Sequence, residues 1–157
     1  MALEQLGYAS PEGVVAPGQH RVVVSGSGAT VQLLAKQSGA LCLFDRAAGI
    51  VYTLPTPVAG MTFEFATTVT ITSNAAKVIT KTVASEFIGG SVDIIINGSA
   101  TTLAALANGT SHTTLSSNGT TTGGVQGDFY RVTAVSTTKW VIEGLVSGSG
   151  ALATPFA

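Results

Sequence analysis

Residues 61–66 read Met61-Thr62-Phe63-Glu64-Phe65-Ala66. Large apolar side chains fall at 61, 63 and 65, and polar ones at 62 and 64. A period of two is what a half-buried strand requires, because successive side chains point to opposite faces of a pleated ribbon.

The same signal recurs outward from this segment. Strand-like runs at 21–25, 29–35, 41–44 and 50–54 precede it, and runs at 69–72, 77–82, 91–96, 111–115, 128–135 and 139–146 follow. The run 101–107, with Leu103-Ala104-Ala105-Leu106 at its centre, fits either a strand or one or two helical turns. About ten short strands at intervals near ten residues predict an all-β fold: an antiparallel β-sandwich or jelly-roll-like single domain.

The punctuation agrees. Gly26-Ser27-Gly28 is a flexible connection, and Pro55 and Pro57 stop a ladder because proline offers no N–H. Asp45-Arg46-Ala47-Ala48-Gly49 reads as a hairpin-like connection, with Gly49 free to take positive φ. Three Asn-Gly pairs, Asn97-Gly98, Asn108-Gly109 and Asn118-Gly119, predict a meander with three similar turns. The Gly- and Thr-rich stretch 118–124 is expected to be an exposed loop.

Composition narrows the class. Of 157 residues, seven are Lys or Arg and eight are Asp or Glu, giving a net charge of −1. Soluble domains ordinarily carry roughly 25% charged residues, and this chain has 10%. Twenty-two Thr, 17 Val and 8 Ile make 47 β-branched residues, whose stiff side chains suit pleated strands. Nothing in this balance steers the chain to nucleic acid or an acidic membrane. Few charges give a free monomer little colloidal protection, so much of the surface is expected to meet other protein.

Residues 1–20 read as an N-terminal arm, broken by Gly7, Pro11, Gly13, Pro17 and Gly18 and carrying the apolar anchors Leu3, Leu6, Tyr8, Val14 and Val15. Residues 21–147 form the β domain. Residues 148–157 form a C-terminal tail, read as a second arm with Leu152 and Phe156 as anchors. The N-terminus lacks a basic stretch followed by a continuous apolar one, so the expectation is synthesis and assembly in a cytoplasm.

The chemistry-bearing residues are few. His20 and His112 are far apart, the single Cys42 sits in the apolar run Leu41-Cys42-Leu43-Phe44, and no ligand spacing of a metal loop occurs. No nucleophile elbow or phosphate-binding loop is present. Glu64, Glu86, Asp93 and Glu143 lie in or beside strand patterns and read as solvent-face residues or salt-bridge partners. Asp45 and Arg46 are expected to pair near their turn, and Asp128 to meet Arg131, setting register at an interface. Trp140 and the pair Phe129-Tyr130 are expected in the core. The reading is of a protein that is not an enzyme, with no cofactor, metal or small-molecule substrate.

The stretch 43–60, from Leu43-Phe44-Asp45-Arg46 to Leu54-Pro55-Thr56-Pro57-Val58-Ala59-Gly60, together with Thr72-Ser73-Asn74-Ala75, 118–124 and Trp140-Val141-Ile142-Glu143-Gly144, resembles small structural proteins of tailed bacteriophages. The similarity is greatest to capsid decoration (cement) proteins of marine and cyanobacterial phages and runs loosely from about residue 29 to the C-terminus. It implies an all-β homotrimer on the outer surface of the virion capsid, seated over junctions of the major capsid protein and reinforcing the shell. The alternative is a receptor-binding β domain associated with head or tail fibres, which needs an exposed loop such as 118–124. A small β-sandwich hydrolase or lectin is a third reading.

Overall fold

Glycine, proline and Asn-Gly units keep the strand-forming runs short, and the computed structural model, which describes residues 20–26 and 28–157, turns at them. Eleven strands form: β1 (Val23–Ser25), β2 (Thr30–Gln32), β3 (Leu41–Phe44), β4 (Val51–Thr53), β5 (Thr62–Thr67), β6 (Ala76–Ile79), β7 (Phe87–Ile96), β8 (Thr102–Asn108), β9 (Thr114–Ser117), β10 (Phe129–Ala134) and β11 (Lys139–Gly148). A single 3₁₀ turn, Ala35–Gln37, is the only helical element among the described residues. The chain is an all-β single domain, as the periodicity implies.

The strands make two sheets, one of seven in the order β1-β3-β5-β10-β11-β7-β8 and one of four in the order β2-β4-β6-β9. From β1 to β6 the chain changes sheet at every step. Each strand therefore re-enters its sheet travelling in the same direction as the strand two before it, and β1-β3-β5 and β2-β4-β6 pair in parallel. Parallel neighbours ordinarily need a crossover of a dozen or more residues. Here the crossover is a strand of the opposite sheet.

This corrects two expectations. Pairing is mixed rather than antiparallel throughout, with antiparallel pairs confined to β5-β10, β10-β11, β7-β8 and β6-β9. The connection 45–49 is a corner between sheets and not a hairpin, since β3 and β4 belong to different sheets. Gly49 does take φ +82°, and a Cβ there would sit 2.5 Å from the Ala75 carbonyl carbon. Of the three Asn-Gly units, only Asn97-Gly98 closes a hairpin, between β7 and β8. The other two carry the chain from one sheet to the other.

Two further departures have local causes. Residues 69–72 form no ladder, because Ile71 and Thr72 donate their amides singly to Gly124 and Ala47 in two different loops. Strand β7 starts at Phe87, four residues before the expected 91, running through Gly89-Gly90. A Cβ on Gly90 (φ +103°) would lie 2.2 Å from the Ile142 carbonyl oxygen, so neighbouring β11 demands glycine there.

Between the sheets lies one apolar core. Its centre is aromatic. Phe65 stacks on Tyr130 at 5.2 Å, and Tyr52 meets Phe44 and Phe65 edge-on at 5.2 and 5.5 Å. Such pairs contribute about 0.5–1.5 kcal/mol each beyond area burial. From the four-stranded sheet, the Tyr52 hydroxyl donates to the Leu43 carbonyl at 2.6 Å in the seven-stranded sheet, tying the layers together. Burial raises its pKa, and the nearby Cys42 and Asp45 add to the effect.

Candidate interaction face

The seven-stranded sheet turns its inward residues to the core, and the pairing fixes what it presents outward. One outward row runs Ser25, Leu43, Ala66, Phe129, Leu145, Asp93, Ala104 across the strands. The next runs Val23, Leu41, Glu64, Arg131, Glu143, Ser91, Leu106. Large apolar side chains stand in the open on this face: Leu106 is 70% exposed, Val23 54%, Leu145 53% and Phe129 42%. Scattered exposed apolar residues are ordinary. Here Leu43, Ala66, Phe129 and Leu145 are consecutive across four paired strands, which makes a patch.

Charge crosses the middle of this face as a chain. Arg131 lies in register between Glu64 on β5 and Glu143 on β11. Its Nε donates to Glu143 Oε1 at 2.9 Å, and its Nη2 donates to the same oxygen. Arg21, just before β1, pairs with Glu64. The hydrogen bond and charge of Glu143, with a smaller contribution from Glu64, raise the Arg131 pKa further. A shallow depression of about 530 Å³ lies alongside, lined by Gly127, Phe129, Arg131, Glu143, Gly144 and Leu145.

Asp128 holds this region from beneath. It is 3% exposed. Its Oδ2 accepts from the Gly124 and Val125 amides at 2.7 and 3.0 Å, and its Oδ1 from the Ser147 amide at 2.7 Å. One carboxylate thus joins the loop before β10 to the end of β11 and sets where Phe129 and Leu145 emerge. Burial lifts its pKa, while the three amide donors pull it down without cancelling that effect.

Several expected site residues fall elsewhere. Leu3, Leu6, Tyr8, Val14 and Val15 lie outside the described residues. Asp45 and Arg46 are both exposed on the corner after β3, and among the described residues neither takes part in an ion pair. The expected Asp128–Arg131 contact does not form: residues three apart on or beside a strand face opposite ways, so Asp128 points inward and Arg131 outward.

Phe156 is buried at 6% and anchors the chain's own end rather than a neighbour. It bridges Leu115 on β9 and stacks on His112 at 5.9 Å. The Ala157 carbonyl accepts from Thr113 and Thr114, and Pro155 from Ser116, so the tail closes the β9 edge. Leu152 is half-buried against the core.

Trp140 and Tyr130 are core residues as expected, whereas Phe129 is not. Cys42 is fully buried, and burial pushes its thiol up to about 12. Stretch 118–124 is packed rather than exposed. Asn118 Oδ1 caps the amides of Thr120, Thr121 and Thr122, Gly123 and Gly124 are buried, and only Thr120 is exposed. Asn108 caps Thr110, Ser111 and His112 in the same way, so two of the three Asn-Gly units share one local cap. Among the described residues, no three or more His, Cys, Asp or Glu cluster as metal ligands would.

Of the four carboxylates read from the sequence as solvent-face residues or salt-bridge partners, Glu64 and Glu143 form ion pairs; the apolar row beside them was missed. The signal was present in the alternation of Phe129 with Tyr130 and of Leu145 with Val146, each giving one side chain to either face. Comparison with protein-family models, curated proteins and solved structures finds no match.

Proposed function

We propose that this chain is a structural virion protein. In this reading it is a capsid decoration (cement) protein that binds over junctions of the major capsid protein on the outer surface of a phage head, as a homotrimer, and stabilises the shell without catalysis. The observation that carries the reading is the outward face of the seven-stranded sheet. Its apolar row Leu43-Ala66-Phe129-Leu145 beside a chain of paired charges is what a protein-binding surface needs: apolar area to bury, and charge to fix register. Scarcity of charge over the whole chain and the resemblance in 43–60 support it. Many copies with modest contacts hold by avidity, which suits a cement.

The fibre-associated alternative needs a free recognition loop. Stretch 118–124 is tied down by its own Asn118 and by the Ser149 and Ala153 amides, which donate to Thr120 and Thr121. That favours the decoration reading.

The test is co-sedimentation of the purified protein with undecorated heads of the virus that encodes it. Wild type should pellet with the heads, and Leu145→Asp should lose at least about tenfold in affinity, since a charge would be buried unpaired. Retention of wild type in the supernatant at all concentrations would refute the reading.

A further inference from the structure

Among the described residues the two sheets end in four edges, and they are not alike. The β9 edge is covered by the chain's own Pro155–Ala157 segment. Strands β1 and β2 are edges of three residues each. Strand β8 is an edge of seven residues, Thr102–Asn108, and carries no charge and no proline. Its register with β7 runs unbroken from Gly89↔Asn108 to Ile95↔Thr102, so no bulge turns it away. Lysine, proline, bulges and shortness are the devices by which natural sheets block an edge. Strand β8 has none of them.

The hydrogen-bond alternation identifies which groups are open. Ile96 donates to the Thr101 carbonyl and Gly109 to the Ile88 carbonyl, which makes these the hydrogen-bonded pairs of the β7-β8 ladder. Antiparallel partners alternate between bonded and non-bonded pairs. Leu103, Ala105 and Ala107 therefore pair with β7, while Thr102, Ala104 and Leu106 direct their N–H and C=O groups outward. The Asn108 amide also points that way and is capped by His112 Nδ1 at 3.1 Å. For Thr102, Ala104 and Leu106 no backbone partner exists among the described residues, and all three are exposed.

The geometry points to a second copy of this chain as the occupant, pairing β8 with β8 antiparallel about a two-fold axis at Ala104. That register sets Thr102 opposite the partner's Leu106 and Ala104 opposite the partner's Ala104. Every open amide and carbonyl of the three residues then finds its counterpart. The residue numbers of each facing pair sum to an even value, so outward side chains stay outward and the inward faces of both sheets stay aligned. No like charges meet, because β8 has none. The result is one continuous sheet through two molecules, in which the outward rows that end at Ala104 meet across the two-fold axis. This contact is two-fold and separate from the three-fold association in the decoration reading, and it requires no shell.

Light scattering on the purified full-length protein, without heads, tests it. Ala104→Pro removes an outward-pointing donor that β7 does not use and should halve the measured particle mass, whether dimer to monomer or hexamer to trimer. Ala104→Lys, which leaves the backbone intact, should do the same, with unchanged far-ultraviolet circular dichroism in both. Ala104→Cys should cross-link two chains under mild oxidation, because hydrogen-bonded antiparallel partners stand about 5.5 Å apart at Cα, within disulfide reach. Leu106→Cys should not, since it faces Thr102. A monomeric or trimeric wild type, or a mass unaltered in folded Ala104→Pro and Ala104→Lys, would overturn the proposal. Equal cross-linking at 104 and 106 would overturn the two-fold register.

Discussion

At the scale of single residues, the molecule depends on groups that do not look functional. Asp128 is the clearest. Asp128→Ala leaves three amide donors without an acceptor in a buried place, at about 1–3 kcal/mol for each unsatisfied group. Urea unfolding should show a loss of roughly 3 kcal/mol or more. Its titration has a definite sign. Because the folded pKa lies above the ordinary carboxylate value, the folded state holds that proton more tightly than the unfolded chain does. The associated stabilisation is complete below the ordinary value and is lost as pH rises through the folded one. Over that window wild-type stability should fall with rising pH relative to Asp128→Asn, and parallel slopes would contradict this. Gly90→Ala drives a Cβ into the Ile142 carbonyl oxygen and should cost at least about 2 kcal/mol.

At the scale of elements, the C-terminal segment behaves as part of the four-stranded sheet. Phe156→Ala should cost about 3–5 kcal/mol, as for other buried aromatics. It should also speed amide hydrogen exchange at Thr114 and Ser116, whose partners are Ala157 and Pro155. Slow exchange at those amides in the variant would show that the β9 edge is closed by something else. The sequence made the strands legible because alternation is local: Met61–Ala66 can be read without knowing what it packs against. Pairing direction was not legible. Parallel pairing of β1, β3 and β5 follows from which sheet each connection leads to, and a corner such as 45–49 has the same turn residues as a hairpin. The run 101–107 was ambiguous because Leu103, Ala104, Leu106 and Ala107 also fit a helical stripe. Seven residues of register with β7 decide for the strand.

For the whole molecule, the proposed function rests on a face assembled from strands far apart in the chain. Leu43, Ala66, Phe129 and Leu145 span about a hundred positions, so neither they nor the Glu64–Arg131–Glu143 chain of charges could be grouped from sequence alone. Substitution there should separate binding from folding. Leu145→Asp and Phe129→Asp should leave stability within about 0.5 kcal/mol, as at other exposed positions, while attachment to heads is lost. A matching loss of stability would make the face structural instead. The central claim concerns where the protein resides. Cryo-electron microscopy of purified particles of the phage proposed to encode it, with antibody labelling of this chain, is the direct test. The account predicts many copies spread over the outer surface of the head at capsid-protein junctions. Label confined to the tail or fibres, or particles without the chain, would contradict it.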